Sequence, residues 1–169
     1  IQNVAVGYYS LVAATTGAAN VAVGWSSMSS TTTGVSNTAV GDTAMITNTT
    51  GNNNTAFGRE SLKDNTTASS NSAFGYQALK SNTTGNSNGA FGQTTLQNMT
   101  HDRNTNGDRN TVIGAFADTS DTNSSDQIIL GYNVIGTGNN NFTFGKDGSD
   151  SNIAFGATSI TAPSDLRLK

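Results

Sequence analysis

At 169 residues and 17.3 kDa, with no Cys, one Pro, one Trp, one His and a formal net charge of -3, the chain is one domain-sized unit at most. Asn, Thr, Ser and Gly account for 86 residues, about half the chain, whereas Leu, Ile, Val and Phe account for 31. So low an aliphatic share goes with disorder when net charge is high; here the charge is small and the polar residues are periodic. Eight basic residues scattered along a chain of pI near 4.7 form no cationic stripe, which excludes nucleic acid and an anionic membrane surface as expected partners. With no apolar run of about 18 residues, no membrane insertion is expected. Zero Cys removes disulfide staples and thiolate metal sites. The chain opens at Ile1 without Met or a charged leader, which reads as a fragment of a longer protein.

The first element is Asn3-Val-Ala-Val-Gly7, and it recurs at a constant step of seventeen positions as Asn20-Val-Ala-Val-Gly24, Asn37-Thr-Ala-Val-Gly41, Asn54-Thr-Ala-Phe-Gly58, Asn71-Ser-Ala-Phe-Gly75 and Asn88-Gly-Ala-Phe-Gly92. Asn110-Thr-Val-Ile-Gly114 follows at a step of twenty-two and Gln127-Ile-Ile-Leu-Gly131 at seventeen again, so the register slips by five and resumes. Weaker copies, Asn141-Phe-Thr-Phe-Gly145 and Asn152-Ile-Ala-Phe-Gly156, come at steps of fourteen and eleven. Four positions past each Gly stands a second apolar column of Leu11, Met28, Met45, Leu62, Leu79 and Leu96. Between the two lie turns rich in Asn, Thr and Gly, such as Thr49-Thr-Gly-Asn-Asn, residue types that accept positive φ or bond their own backbone.

Alternation at period two among Val, Phe, Ile and Thr predicts a strand of about five residues per motif and no helix of useful length. Stacked units place identical positions above one another at about 4.8 Å per rung, so ten copies make a rod roughly 45 Å long. The expected fold is an all-β parallel β-roll or β-helix solenoid of 17-residue repeats, assembled as a homotrimeric fibre. Residues 1–114 form the regular solenoid with an insertion at about 97–109, residues 115–160 shortened and irregular rungs, and residues 161–169 a junction. The Val/Phe/Ile column is expected to fill the interior, the Asn column to hydrogen-bond along the turn, and the Gly to end the strand. The unvarying Ala at 5, 22, 39, 56, 73 and 90 is read as a face buried against a neighbouring chain, the alternative being a tightly flattened interior of one chain. Two large apolar side chains per repeat offset little of the ordering of that much backbone. Lateral association of several chains supplies the missing burial without Cys or metal.

The motif and its sequel, seen at Asn71-Ser-Ala-Phe-Gly-Tyr-Gln-Ala-Leu79, resemble the repeats of phage and viral tail-fibre proteins. They are also similar to the Asn-Ser-Val-Ala-Ile-Gly repeats of trimeric autotransporter adhesin heads, left-handed parallel β-rolls assembled as homotrimers. The adhesin repeat is shorter than the one in this chain. The resemblance implies a trimeric β-structure over residues 1–156. At the C-terminus, Ser164-Asp-Leu-Arg-Leu-Lys169 resembles the opening Ser-Asp-x-Arg-Leu-Lys of the peptidase S74 family, the intramolecular chaperone that ends many tail fibres and endosialidase tailspikes. That resemblance implies Ser164 as nucleophile of a self-cleaving junction, Lys169 as the base that activates it, and Asp165 just past the scissile bond. Because the chain stops at Lys169, the fragment is expected to be inactive and not an enzyme.

Asp102-Arg-Asn104-Thr-Asn106-Gly-Asp108, inside the insertion, has the alternating oxygen ligands and turn Gly of a calcium loop, so a structural Ca2+ is a candidate cofactor there. Its twelfth position is Ile113, without the bidentate carboxylate, and an exposed polar bulge is the competing reading. His101 beside it stands alone. Tyr8, Tyr9, Trp25, Tyr76 and Tyr132 follow the strand Gly, where amphipathic rings suit either sugar faces or packing between protomers. These residues favour a viral tail-fibre segment, located on the virion, that mediates attachment to a host cell-surface glycan or protein receptor and folds with the C-terminal chaperone as partner. The alternative is a trimeric adhesin head on a bacterial surface. A less favoured alternative is an ice-binding solenoid, against which the Thr runs are expected to fall in turns and to vary between rungs. A glycan-cleaving tailspike would need clustered carboxylates, and the 11 acidic residues concentrate in the C-terminal third.

Overall fold

A computed structural model of the chain describes residues 2–97, 106–121, 123–146 and 150–154. Ten strands lie in one sheet in chain order. They are β1 (Val4–Val6), β2 (Val21–Val23), β3 (Thr38–Val40), β4 (Thr55–Phe57), β5 (Ser72–Phe74), β6 (Gly89–Phe91), β7 (Thr111–Ile113), β8 (Ile128–Tyr132), β9 (Asn141–Lys146) and β10 (Ser151–Ala154). Pairing is parallel at every step from β1 to β9. The chain is therefore a parallel β-solenoid of about eight turns, with no helix among the described residues.

Register follows the motif. Ala22 pairs with Ala39, Ala39 with Ala56 and Ala56 with Ala73. It survives the longer step, where Ala90 pairs with Val112, and the shorter one, where Ile129 pairs with Thr143. β10 instead runs antiparallel to β9, with Ile153 opposite Phe142, so the copy at Asn152 closes a hairpin and adds no further rung. The strands β1 to β7 have three residues, not the five expected. A Gly with φ between 127 and 144° follows each of them and turns the chain away from the sheet.

The interior is the reverse of the expected one. The Ala column, from Ala22 through Ala39, Ala56 and Ala73 to Ala90, is fully buried within the single chain, and Val112 and Ile129 continue it. Of the larger residues next along the strands, Val6, Phe57, Phe74, Phe91, Ile113 and Leu130 stand outside with 36 to 57% of their surface exposed, and Val23 and Val40 are half-buried. What excludes them from the inside is the second apolar column. Met28, Met45, Leu62, Leu79 and Leu96 are completely buried and join the Ala column in one core cluster, so a narrow rung has room for Ala opposite them and for nothing larger. The Ala face thus meets its own chain, as in the flattened-interior alternative, and not a neighbour.

The second apolar segment is not a strand. Met28, Met45, Leu62, Leu79 and Leu96 have φ of 48 to 54°. So do their neighbours two positions earlier, Ser26 to Thr94, at 51 to 58°. A left-handed residue with a side chain costs about 1–2 kcal/mol, and here it re-aims N–H groups along the stack. The N–H of Ser26, Glu60 and Gln77 donates back to the carbonyls of Tyr8, Asp42 and Arg59, while that of Met45 and Leu62 donates forward to Ser61 and Ala78. Hydrogen bonding between rungs therefore continues through the turns and is not confined to the sheet.

Inside the turn before each strand runs the Asn ladder. Asn37, Asn54 and Asn71 are fully buried. Each Oδ1 accepts the backbone N–H of the next Asn at 2.9 to 3.0 Å, and each Nδ2 donates to a turn carbonyl, of Gly51, Ala68 and Gly85 respectively, at 2.8 to 2.9 Å. Gln127 takes the same place at the eighth strand, its N–H donating to Asn110 Oδ1. The Asn column expected to bond along the turn does so.

Candidate interaction surface

With Ala turned inward, the residues before and after it make an outward face three residues wide. No strand from β1 to β8 carries a charged side chain. One outward column runs from Val6 to Leu130, and within it the rings of Phe57, Phe74 and Phe91 stack at 5.4 and 5.2 Å with planes within 6° of parallel. The other holds small residues in its middle, Thr38, Thr55, Ser72, Gly89 and Thr111.

Beyond the Gly lies the aromatic column. Tyr8 is 65% and Trp25 54% exposed, and the Tyr8 and Tyr9 rings meet edge-on at 4.4 Å. One and two rungs further, Asp42 and Arg59 occupy the same position, with Nε 3.5 Å from the carboxylate, and the Arg59 guanidinium lies 5.8 Å over the ring of Tyr76. Tyr132 packs edge-on against Phe116 at 5.9 Å.

Charged groups gather beside it. Glu60 accepts from Lys80 Nζ at 2.9 Å and from Gln77 Nε2 at 2.7 Å, with Arg59 Nη2 at 3.5 Å and Lys63 Nζ at 3.9 Å. Lys80 and Gln77 stand one rung further on, a charge pattern readable in the sequence once the stacking is known. The hydrogen bonds from Lys80 and Gln77 pull the Glu60 carboxyl down from 4.5 to about 2, against a smaller upward push from burial. A folded pKa below the unfolded one means that the stabilisation is complete above pH 4.5 and is lost as pH falls through about 2. Glu60→Gln is expected to cost about 1–2 kcal/mol at pH 7, since the cations are partly in water. In urea titrations from pH 6 to 2 the variant should show a flatter acid limb than the parent.

The Thr runs do fall in turns, but they keep register. Thr15, Thr32, Thr49 and Thr66 each donate Oγ1 to the carbonyl of the Thr one rung on, at 3.0 to 3.2 Å. Their followers Thr16, Thr33, Thr50 and Thr67, with Thr84 one rung on, form an exposed column. The expected variation between rungs is absent from Thr15 to Thr84.

Of the calcium-loop candidates, Asp102 and Asn104 lie outside the described residues, as does His101. Asp108 Oδ1 accepts the backbone N–H of Asn86 at 2.6 Å, and Asn106 contacts Thr84 and Asn123, so both side chains are engaged in rung-to-rung bonding. Ile113 is exposed on β7. Among the described residues no three His, Cys, Asp or Glu side chains converge as a metal site, and no helix is long and apolar enough to cross a membrane. Ser164, Asp165 and Lys169 also lie outside the described residues.

No family model, curated protein or solved structure matches the chain.

Proposed function

We propose that the chain is a segment of a homotrimeric viral tail fibre that forms or positions a surface for binding a host receptor. The observation that carries this reading is the unbroken parallel register over nine strands, a rod whose length grows by one rung per repeat. Such a scaffold suits spanning distance and displaying side chains in columns. The resemblance of the repeat to fibre proteins, and of Ser164 to Lys169 to a self-cleaving chaperone junction, supports it. Exposed Tyr8 and Trp25 offer ring surface to a receptor glycan. The test is adsorption of the fluorescently labelled chain to a panel of bacterial cells. Saturable binding to some strains, competed by unlabelled chain, is the expected result, and no binding to any strain would overturn the reading.

The Thr pairs favour one second reading, an ice-binding solenoid, because the exposed Thr16 to Thr84 column repeats at the rung spacing. Thermal hysteresis in a freezing assay, with no adsorption to cells, would establish it over the fibre.

A further inference from the structure

We infer that the outward column from Val6 to Leu130 is the surface on which copies of this chain assemble, gathered about a threefold axis parallel to the solenoid. The number of copies rests on the fibre reading above; the choice of face rests on the structure.

The face is uncharged over eight strands, and six of the eight large residues of the column are exposed, with Val23 and Val40 half-buried, although the interior of the chain is closed without them. Side chains of about 150–250 Å² exposed to this extent, with Val4 and Ile128 beside them, present roughly 700 Å² of apolar surface. That exceeds the patch a soluble monomer ordinarily shows, and it approaches the ~800 Å² per partner of a stable interface.

A second copy is the occupant that fits. The column offers one side chain per rung, about 4.8 Å apart, and a partner that fills every interval needs the same spacing. A parallel copy has it, and puts Phe57 against Phe57 and Phe74 against Phe74 in successive layers. Only one of the two outward columns is large through the middle of the sheet, while Thr55, Ser72 and Gly89 keep the other low. A narrow ridge of this kind enters the centre of three converging chains, whereas two sheets packed flat against each other would leave the low column unfilled.

The test is light scattering on the full chain, with Phe74→Lys as the probe and Thr50→Lys on the exposed Thr column as the control. The parent and the control are expected at three times the 17.3 kDa of one chain, and Phe74→Lys at one third of that mass with its far-UV circular dichroism kept. A Phe74→Lys variant that stays trimeric overturns this choice of face while leaving the fibre reading standing. A parent that is dimeric overturns the threefold axis. A parent that is monomeric overturns the inference altogether, and adsorption to cells then decides the fibre reading separately. Should Phe74→Lys fail to fold, Phe74→Cys serves instead, because the chain has no other Cys. A short bismaleimide should link its protomers, whereas Thr50→Cys should stay unlinked; the reverse pattern overturns the inference.

Discussion

Gly58→Ala is expected to destabilise the solenoid by about 4 kcal/mol or more, lowering the melting temperature by roughly 8–16 °C in a chain of this size. Two effects coincide. Gly58 has φ of 130°, where a side chain is strained, and a Cβ there would run into the carbonyl of Gly75, 2.6 Å from its carbon. Relief by local movement is blocked, because Gly75 stands in the same relation to Gly92, whose carbonyl carbon would lie 2.6 Å from a Cβ on Gly75. Displacing one rung therefore displaces the next. Gly89→Ala is the matched control. Gly89 lies within β6, and a Cβ there meets only the Phe91 ring edge at 3.4 Å, an ordinary contact. It is expected to be neutral or to gain up to about 1 kcal/mol, as Ala does over Gly in a strand. Thermal melts of the two variants side by side check the pair. Equal losses would mean that Gly content, and not the stacked Gly column, is what the motif selects.

This column shows how far the sequence could be read. Periodicity alone carried the rung, the register and the parallel sheet, because a constant repeat of Asn, Ala and Gly leaves few other ways to superpose like on like. It did not carry the side of the sheet. Alternation marks two faces without naming them, and the ordinary preference for large residues inside put Phe57 and Phe74 in the core and Ala56 at a neighbour. The signal that decides the matter was the second column. Leu62 and Leu79 already fill a thin cross-section, and a rung holding both a Leu and a Phe would be too wide for its short turns. Nor was the left-handed conformation at Leu62 and Leu79 legible, since nothing in a Leu announces φ near 50°. Only the need to keep N–H groups bonded along the stack explains it.

The candidate surface was legible in part for the same reason. Aromatic residues after the Gly were visible as a column, but the Glu60 cluster joins Gln77 and Lys80 from the next rung and becomes a cluster only when rungs are superposed. Reading the face correctly also moves the argument for association. An inward Ala needs no neighbour, whereas an outward Phe column on an uncharged sheet leaves apolar surface open to one.

Asn54→Leu is the second large effect, expected at about 2–4 kcal/mol in urea unfolding. Leu has as many side-chain heavy atoms as Asn, with bulkier methyl ends, so the loss comes from hydrogen bonding with some overpacking and not from a cavity. Asn54 Nδ2 donates to the Ala68 carbonyl at 2.8 Å and to Asn37 Oδ1 at 3.2 Å, and its Oδ1 accepts the Asn71 N–H at 3.0 Å, all in a fully buried position. Leu leaves the Asn71 N–H orphaned, at about 1–3 kcal/mol, and takes from the Ala68 carbonyl the shorter of its two donors, Asn65 Nδ2 remaining at 3.1 Å, at about 0.5–1.5 kcal/mol. Asn3→Leu should cost less, about 1–2 kcal/mol, because Asn3 makes the same two kinds of bond, to Gly17 and from Asn20, at a half-exposed position. Asn54→Asp separates shape from donor chemistry. Its carboxylate would face two acceptors, Asn37 Oδ1 and the Ala68 carbonyl, so the folded state favours the protonated acid and raises its pKa. The variant should then be near the parent in acid and lose stability as pH rises above about 4, opposite in direction to the contribution of Glu60. A pH-independent loss in Asn54→Asp would show that the ladder works by packing, and that its hydrogen bonds are incidental to why seven of the first eight rungs begin with Asn.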